Sequence, residues 1–123
     1  MNIEVKISKR PIPYITAINY LEKRVDNIKL GKGHDFLWIL EHPTIFTAGI
    51  RSNENDIIDK NIKIISTKRG GKITLHNPGQ KIIYFALNLN NKKRDIRNLI
   101  KQFSITVIKA LISFLRLFKL IAK

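Results

Sequence analysis

This sequence predicts a single α/β domain, and three observations carry the prediction. Apolar residues at positions 14, 18, 21, 25 and 28 fall on one face of a helix. Runs at 3–7, 36–40, 62–66 and 81–89 have the apolar content and spacing of β-strands. A second helical pattern opens at Ile96 and continues almost to the last residue. A chain of 123 residues is one domain at most, long enough to bury one modest core. It shows neither an internal repeat nor a linker that would divide it.

Ile3 to Ile7 alternates apolar and polar residues, as a half-buried strand does. Pro11 and Pro13 break it, and the helix from Tyr14 to Ile28 follows. Gly31 and Gly33 are its stop signal. Phe36-Leu37-Trp38-Ile39-Leu40 is continuously apolar, the pattern of a strand buried on both faces. Glu41-His42-Pro43 closes it, with Pro43 holding the preceding residue extended. Thr44 to Gly49 is a mixed segment leading into a polar loop, Arg51 to Asp56, and Ile62 to Ser66 is a further strand. Lys81 to Leu89 is the strongest strand signal, with Phe85, Leu87 and Leu89 alternating onto one face. Asn90 to Arg94 is a polar turn with a basic cluster, and Asp95 is a fitting N-cap for the second helix. That helix starts amphipathic (Ile96, Leu99, Ile100, Phe103, Val107) and becomes strongly apolar after Ile105. Its polar positions form one narrow stripe, so it expects cover on most of its circumference. Lys109, Arg116 and Lys119 argue against a transmembrane span.

Composition excludes several chemistries. There is no cysteine, hence no disulfide, Cys-based zinc site or Cys nucleophile. The first residues carry charges and lack the apolar run of a signal peptide, which makes the cytoplasm the expected compartment. The net charge of +14 and pI near 10.3 attract polyanions in general. The lysines are nevertheless scattered, and Ile and Asn abound beside them, the bias of AT-rich coding. No basic motif interleaved with aromatics is present, so no nucleic-acid partner is expected.

The chemistry concentrates between Lys68 and Gln80, where three glycines, a proline, an arginine and a histidine lie between two strands. Loops held by scaffold strands are where function collects. Gly70 and Gly71 permit close backbone approach to a ligand, and exposed amides there can hold a carbonyl or phosphate oxygen. Arg69 and Lys72 add positive charge, and His76 can donate, accept or orient. The pattern matches neither a phosphate loop nor a dinucleotide fingerprint. Two ordinary turns, Gly-Gly and Pro-Gly, with a packed histidine between them account for the same residues structurally.

Arg69-Gly70-Gly71-Lys72-Ile73-Thr74-Leu75-His76-Asn77-Pro78-Gly79-Gln80 resembles the signature of lipoyl(octanoyl) transferases, RGG-x-x-T-[YF]-H-G-P-G-Q. Upstream, Leu37-Trp38-Ile39-Leu40-Glu41-His42-Pro43 and Phe46-Thr47-Ala48-Gly49 resemble that family's E-H-P-x-x-[YF]-T-x-G segment. Downstream, Tyr84-Phe85-Ala86-Leu87-Asn88-Leu89 resembles its Y-P-[IL]-x-[DN]-L strand. Leu75 stands where the family has an aromatic, and Asn77 where it has glycine. Asn is the non-glycine residue that best accepts left-handed backbone, so the turn is expected to survive.

The resemblance implies a mixed sheet with flanking helices, the catalytic fold shared with biotin and lipoate protein ligases, with the C-terminal half missing. It implies transfer of an octanoyl group from acyl carrier protein to a lysine of a lipoyl domain. A Cys attacks the carrier thioester, and a Lys beside it lowers the thiol pKa. Partners would be octanoyl-acyl carrier protein, the lipoyl domains of 2-oxoacid dehydrogenase acyltransferase subunits and the glycine cleavage H protein. No cofactor and no metal are implied. Arg69, Gly70, Gly71, Lys72, Ile73, Thr74, Leu75 and His76 would form the substrate-binding loop. Ile73 and Leu75 would touch the acyl chain and His76 would orient the site. The family's Cys and Lys have no counterpart here, so the chain reads as one partial domain, truncated or frameshifted, and inactive as an acyltransferase. An ATP-dependent lipoate or biotin ligase is the competing enzyme reading, which Asn77-Pro78-Gly79-Gln80 disfavours because ligases carry an acidic H-D-x-G-N pattern there. A basic, non-catalytic binding module is the competing non-enzyme reading, and an interfacial membrane helix over 96–123 is a third.

Overall fold

The computed structural model describes residues 2–90 and 95–121, with side chains through residue 113. These divide into two compact units, Met1–Asn88 and Leu89–Lys123.

In the first unit, β1 (Ile3–Ile7) leads through α1 (Tyr14–Lys29) to β2 (Asp35–Leu40). β3 (Ile45–Ala48), a 3-10 turn at Glu54–Asp56, β4 (Ile64–Ser66), β5 (Ile73–His76) and β6 (Ile82–Ala86) follow. The strands form two mixed three-stranded sheets, ordered β1-β2-β6 and β4-β3-β5. β1 runs parallel to β2, as a helical crossover requires, and β6 runs antiparallel to β2. In the second sheet β4 is parallel and β5 antiparallel to β3.

α1 ends where the glycines said it would. Gly31 takes φ +70°, its amide reaching Ile28 O at 3.1 Å while that of Lys32 reaches Asn27 O at 2.9 Å. Those paired bonds are a Schellman termination. The buried face of α1, Ala17, Leu21 and Ile28, packs on Phe36, Trp38, Leu40 and Ala86 of the first sheet. Tyr20 lies edge-on to Trp38 at 5.0 Å, and Lys6 Nζ sits 4.2 Å from the Tyr20 ring centre and 4.5 Å from that of Trp38. The buried indole N–H donates to Ser8 Oγ at 2.9 Å, which ties β1 to β2 beyond their ladder.

Several elements differ from the sequence expectation. The mixed strands are split between two sheets. β2 is not buried equally on both faces: Phe36, Trp38 and Leu40 are buried, whereas Leu37 and Ile39 are only partly covered. The reason is that α1 covers one face, while on the other the aligned side chains of Val5, Ile7, Ile83 and Phe85 stay exposed. The strand expected to reach Leu89 stops at Ala86, because its partner β2 begins at Asp35. From there the carboxylate of Asp35, not a backbone carbonyl, takes the Asn88 amide, at 2.7 Å. The mixed segment after Pro43 contains a true strand, β3, paired on both sides.

The second unit is α2, Ile96–Ile121. Asp95 caps it as expected, with the Asn98 amide 2.9 Å from Asp95 Oδ1. Ser104 and Thr106 turn their hydroxyls back to the carbonyls of Ile100 and Gln102. A lone helix cannot bury its own apolar face, and Ile96, Ile100, Val107, Ile108, Leu111 and Ile112 are exposed. The basic cluster before Asp95, and the side chains of the apolar run past Ser113, lie outside the described residues. Among the described residues no helix is long and apolar enough to cross a membrane.

Candidate functional site

The loop after β4 folds against the end of β3, and backbone polarity dictates how. Gly49, Ile50 and Arg51 donate their amides to Lys72 O (3.0 Å), Arg69 O (3.0 Å) and Gly71 O (3.1 Å). Gly49 has to be glycine: a Cβ there would stand 2.3 Å from Gly71 O and 2.8 Å from Gly70 O. Gly71 has to be glycine for another reason, its φ of +85°. Among the described residues, the amides of Gly70 and Gly71 donate to no protein group.

Arg69 is spent on holding this shape. Its Nε donates to Thr47 Oγ1 at 3.2 Å, and Nη1 to Gly70 O at 2.9 Å. Nη2 reaches Thr47 O, Thr47 Oγ1 and Lys72 O, each at 2.8 Å. Thr47 is fully buried beneath it. A planar fork with several donors suits this work, and a lysine does not. Lys72 Nζ pairs with Asp56 at 2.8 Å, outside the ring of carbonyls. That hydrogen bond, with a second from the Asn53 amide, holds the Asp56 carboxyl below its ordinary pKa.

β5 sorts the remaining loop residues onto two faces. Thr47 opposes Thr74 and Ile45 opposes His76, so Thr74 and His76 share the Arg69 face. Ile73 and Leu75 point to the other face, where Leu75 is exposed. The structure thus groups Arg69, Thr74 and His76 and leaves Ile73 and Leu75 apart from them.

His76 opens into a corner that the sequence reading did not assemble. The buried Tyr14, at the start of α1, stacks on the His76 ring at 6.0 Å. His42 stands edge-on to both, 5.5 Å from His76 and 5.2 Å from Tyr14. Tyr84, on β6, joins through its hydroxyl, 2.8 Å from His42 Nε2. His42 is fully buried, and its Nδ1 lies 2.6 Å from Ile12 O. Burial is the main cause that pushes the His42 pKa below its ordinary value, with His76 adding to it and the Ile12 carbonyl opposing it. Burial also pushes the Tyr84 phenol up to about 12. Four residues from four parts of the chain meet here; the E-H-P motif, the loop signature and the Tyr84 strand pointed to three of them, and nothing singled out Tyr14.

The turn between β5 and β6 is pinned from below. Glu41 accepts the Gly79 amide at 2.7 Å and Lys81 Nζ at 2.6 Å, and these two bonds, Lys81 first, hold its carboxyl below the ordinary value. Gly79 takes φ +90°, and Gln80 Oε1 lies 3.0 Å from His76 Nδ1. Beside Arg69 a groove of about 440 Å³ runs between α1 and the end of β4, walled by Tyr14, Ile15 and Ile18 on one side and Ser66 to Arg69 on the other. Among the described residues no cluster of three His, Asp or Glu could hold a metal ion.

An α/β scaffold that presents a glycine loop and a His–Tyr corner beside a part-apolar groove has the make-up of a small-ligand site. Residues 13–116 match the lipoyl protein ligase A/B catalytic domain, and the chain belongs to that family. Octanoyltransferases are among its relatives. That of Bartonella bacilliformis is 39% identical over 113 residues, 91% of this chain and 47% of the relative. That of Anaplasma phagocytophilum is 38% identical over 93% of this chain and 56% of the relative. That of a Wolbachia of Brugia malayi is 37% identical over 91% and 55%. The chain therefore spans about half the length of the curated relatives it matches.

Proposed function

We propose that this site is the acyl-binding part of an octanoyltransferase of protein lipoylation, taking octanoyl from acyl carrier protein and delivering it to a lysine of a lipoyl domain. The observation that carries the reading is the shared face of Arg69, Thr74 and His76, set beside a groove with one largely apolar wall. The undonated amides of Gly70 and Gly71 suit the thioester carbonyl oxygen. Tyr14, Ile15 and Ile18 give the octanoyl tail its walls, a part the sequence alone assigned to Ile73 and Leu75. Arg69 and Lys72 shape the loop through their contacts, and His76 orients the corner. In this reading the nucleophile is a Cys activated by a Lys, in the part of the family that the matched stretch does not include. The 123 residues contain no Cys, so on their own they are expected to transfer nothing. The compartment we propose is the cytoplasm.

Two measurements test the reading. Octanoyl-pantetheine titrated into the labelled chain should shift the amide resonances of Gly70 and Gly71 and the side chains of Tyr14 and Ile18; shifts confined elsewhere overturn it. Incubation of the chain with octanoyl-carrier protein and a lipoyl domain should leave the mass of the domain unchanged, and an octanoyl gain would overturn the claim of inactivity.

A further inference from the structure

The hydrogen bonds at His42 determine where the protons of the corner sit. A carbonyl oxygen can only accept, so the 2.6 Å contact to Ile12 O places a proton on His42 Nδ1. The ring is fully buried, with its pKa pushed down, so it is neutral at neutral pH and carries no second proton. His42 Nε2 is then a bare acceptor, and the Tyr84 hydroxyl 2.8 Å away must donate to it. What Tyr84 has left is oxygen lone pairs. Tyr84 is only partly buried, whereas His42 is not exposed at all. Of the pair, only Tyr84 has exposed surface, and its hydroxyl oxygen is left as an acceptor.

We propose that Tyr84 Oη, its proton held by His42, is the docking point for the amino N–H of the incoming lysine, and that this corner does not bind the acyl oxygen. His42 is then a positioning residue: it never touches substrate, but it decides that Tyr84 accepts. The assignment of the amine rests on the acyl-transfer reading above; the assignment of the protons does not. It also divides labour within the site, since an oxygen that only accepts repels a carbonyl or carboxylate, which leaves those to the Gly70–Gly71 amides.

The test uses the full chain labelled with nitrogen-15. The chain has three histidines, His34, His42 and His76, so their ring nitrogens can be assigned individually. At neutral pH, His42 should show a protonated Nδ1 and an unprotonated Nε2 that moves when Tyr84→Phe removes its donor. An Nε2–H tautomer overturns the proposal. Butylammonium, the probe for the lysine amine, should perturb Tyr84 and His42, and Tyr84→Phe should weaken its binding by about tenfold or more, as for loss of a hydrogen bond to a charged group. No perturbation, or unchanged affinity in the variant, overturns the amine assignment. Octanoate binding should be unaffected by Tyr84→Phe, and a weakening overturns the claim that the corner excludes acyl oxygens. Octanoyl-pantetheine in the same samples reports separately on the Gly70–Gly71 loop, so failure of the acyl reading is distinguishable from failure of this one.

Discussion

The two sheets of the first unit are held together by different forces. The first sheet is a hydrophobic structure: Phe36, Leu40, Trp38 and Ala86 are buried under α1, and its polar contacts sit at the margins. The second sheet buries only Thr47 fully, a polar residue, and its strands are otherwise half-covered or exposed. Its shape comes from hydrogen bonds, most of them centred on Arg69 and on the amides of residues 49–51. Burial is non-directional and tolerates small shifts, whereas a hydrogen-bonded ring fixes positions to fractions of an ångström and fails if one member moves. The molecule puts its cohesion in one sheet and its geometry in the other, and the glycine loop of the candidate site lies on the second.

The sharpest way to break that contrast is through the core. Phe36→Ala should destabilise the first unit by about 3–5 kcal/mol, the range for emptying a well-packed aromatic site. The fall in the urea midpoint measures it, and the loop should lose its structure in the same transition. A loop that survives with native amide shifts would show that the two sheets do not depend on one another. Gly49→Ala should do the converse. Its Cβ meets backbone carbonyls that cannot swing aside, an overpacking that costs about 1–3 kcal/mol. The visible effect should be displaced Gly70 and Gly71 resonances while Trp38 fluorescence keeps its native maximum. Arg69→Lys comes next: losing hydrogen bonds from a charged donor costs about 1.5–3 kcal/mol, and a lysine cannot span Thr47, Gly70 and Lys72 together. Proteolysis should then cut the 68–72 segment faster while the core remains protected.

The same contrast explains what the sequence revealed. The helix from Tyr14 and its glycine stop were readable because periodicity and Gly31 are local signals. Asp95 and the start of α2 were readable for the same reason. The loop was found because glycines and a histidine between strands are conspicuous, and its family likeness is confirmed by the match over residues 13–116. The role of Arg69 was not legible. An arginine beside two glycines looks the same whether it faces a ligand or braces its own backbone; only the positions of Thr47 and Lys72 distinguish them. The corner was equally hidden, since Tyr14, His42, His76 and Tyr84 are brought together by the packing of α1 and β6 and not by spacing. The faces of β5 followed from its register against β3, a strand too short and too irregular to be read.

The smallest effects lie in acid, and they separate the corner from the loop by pH. His42 has a pKa depressed in the fold from its ordinary 6.5, mainly by burial. The unfolded chain therefore binds that proton more readily, and stability complete above pH 6.5 is lost as pH falls from there through the folded value. Glu41 and Asp56 are depressed from 4.5 and 3.8, chiefly by Lys81 and Lys72, so their contribution is present above those values and lost only at lower pH, as each carboxylate protonates. Both act in the same direction, yet in different windows. Hydrogen exchange should show the His42–Tyr84 corner loosening below pH 6.5 with the Gly79 turn still protected, and the turn opening only in the carboxylate range. Salt should weaken the second step, because Lys81 and Lys72 are exposed, and leave the first nearly untouched, because burial is not screened. A single transition would mean that the corner and the loop are one cooperative unit and that the hydrogen-bonded sheet draws its stability from the buried one.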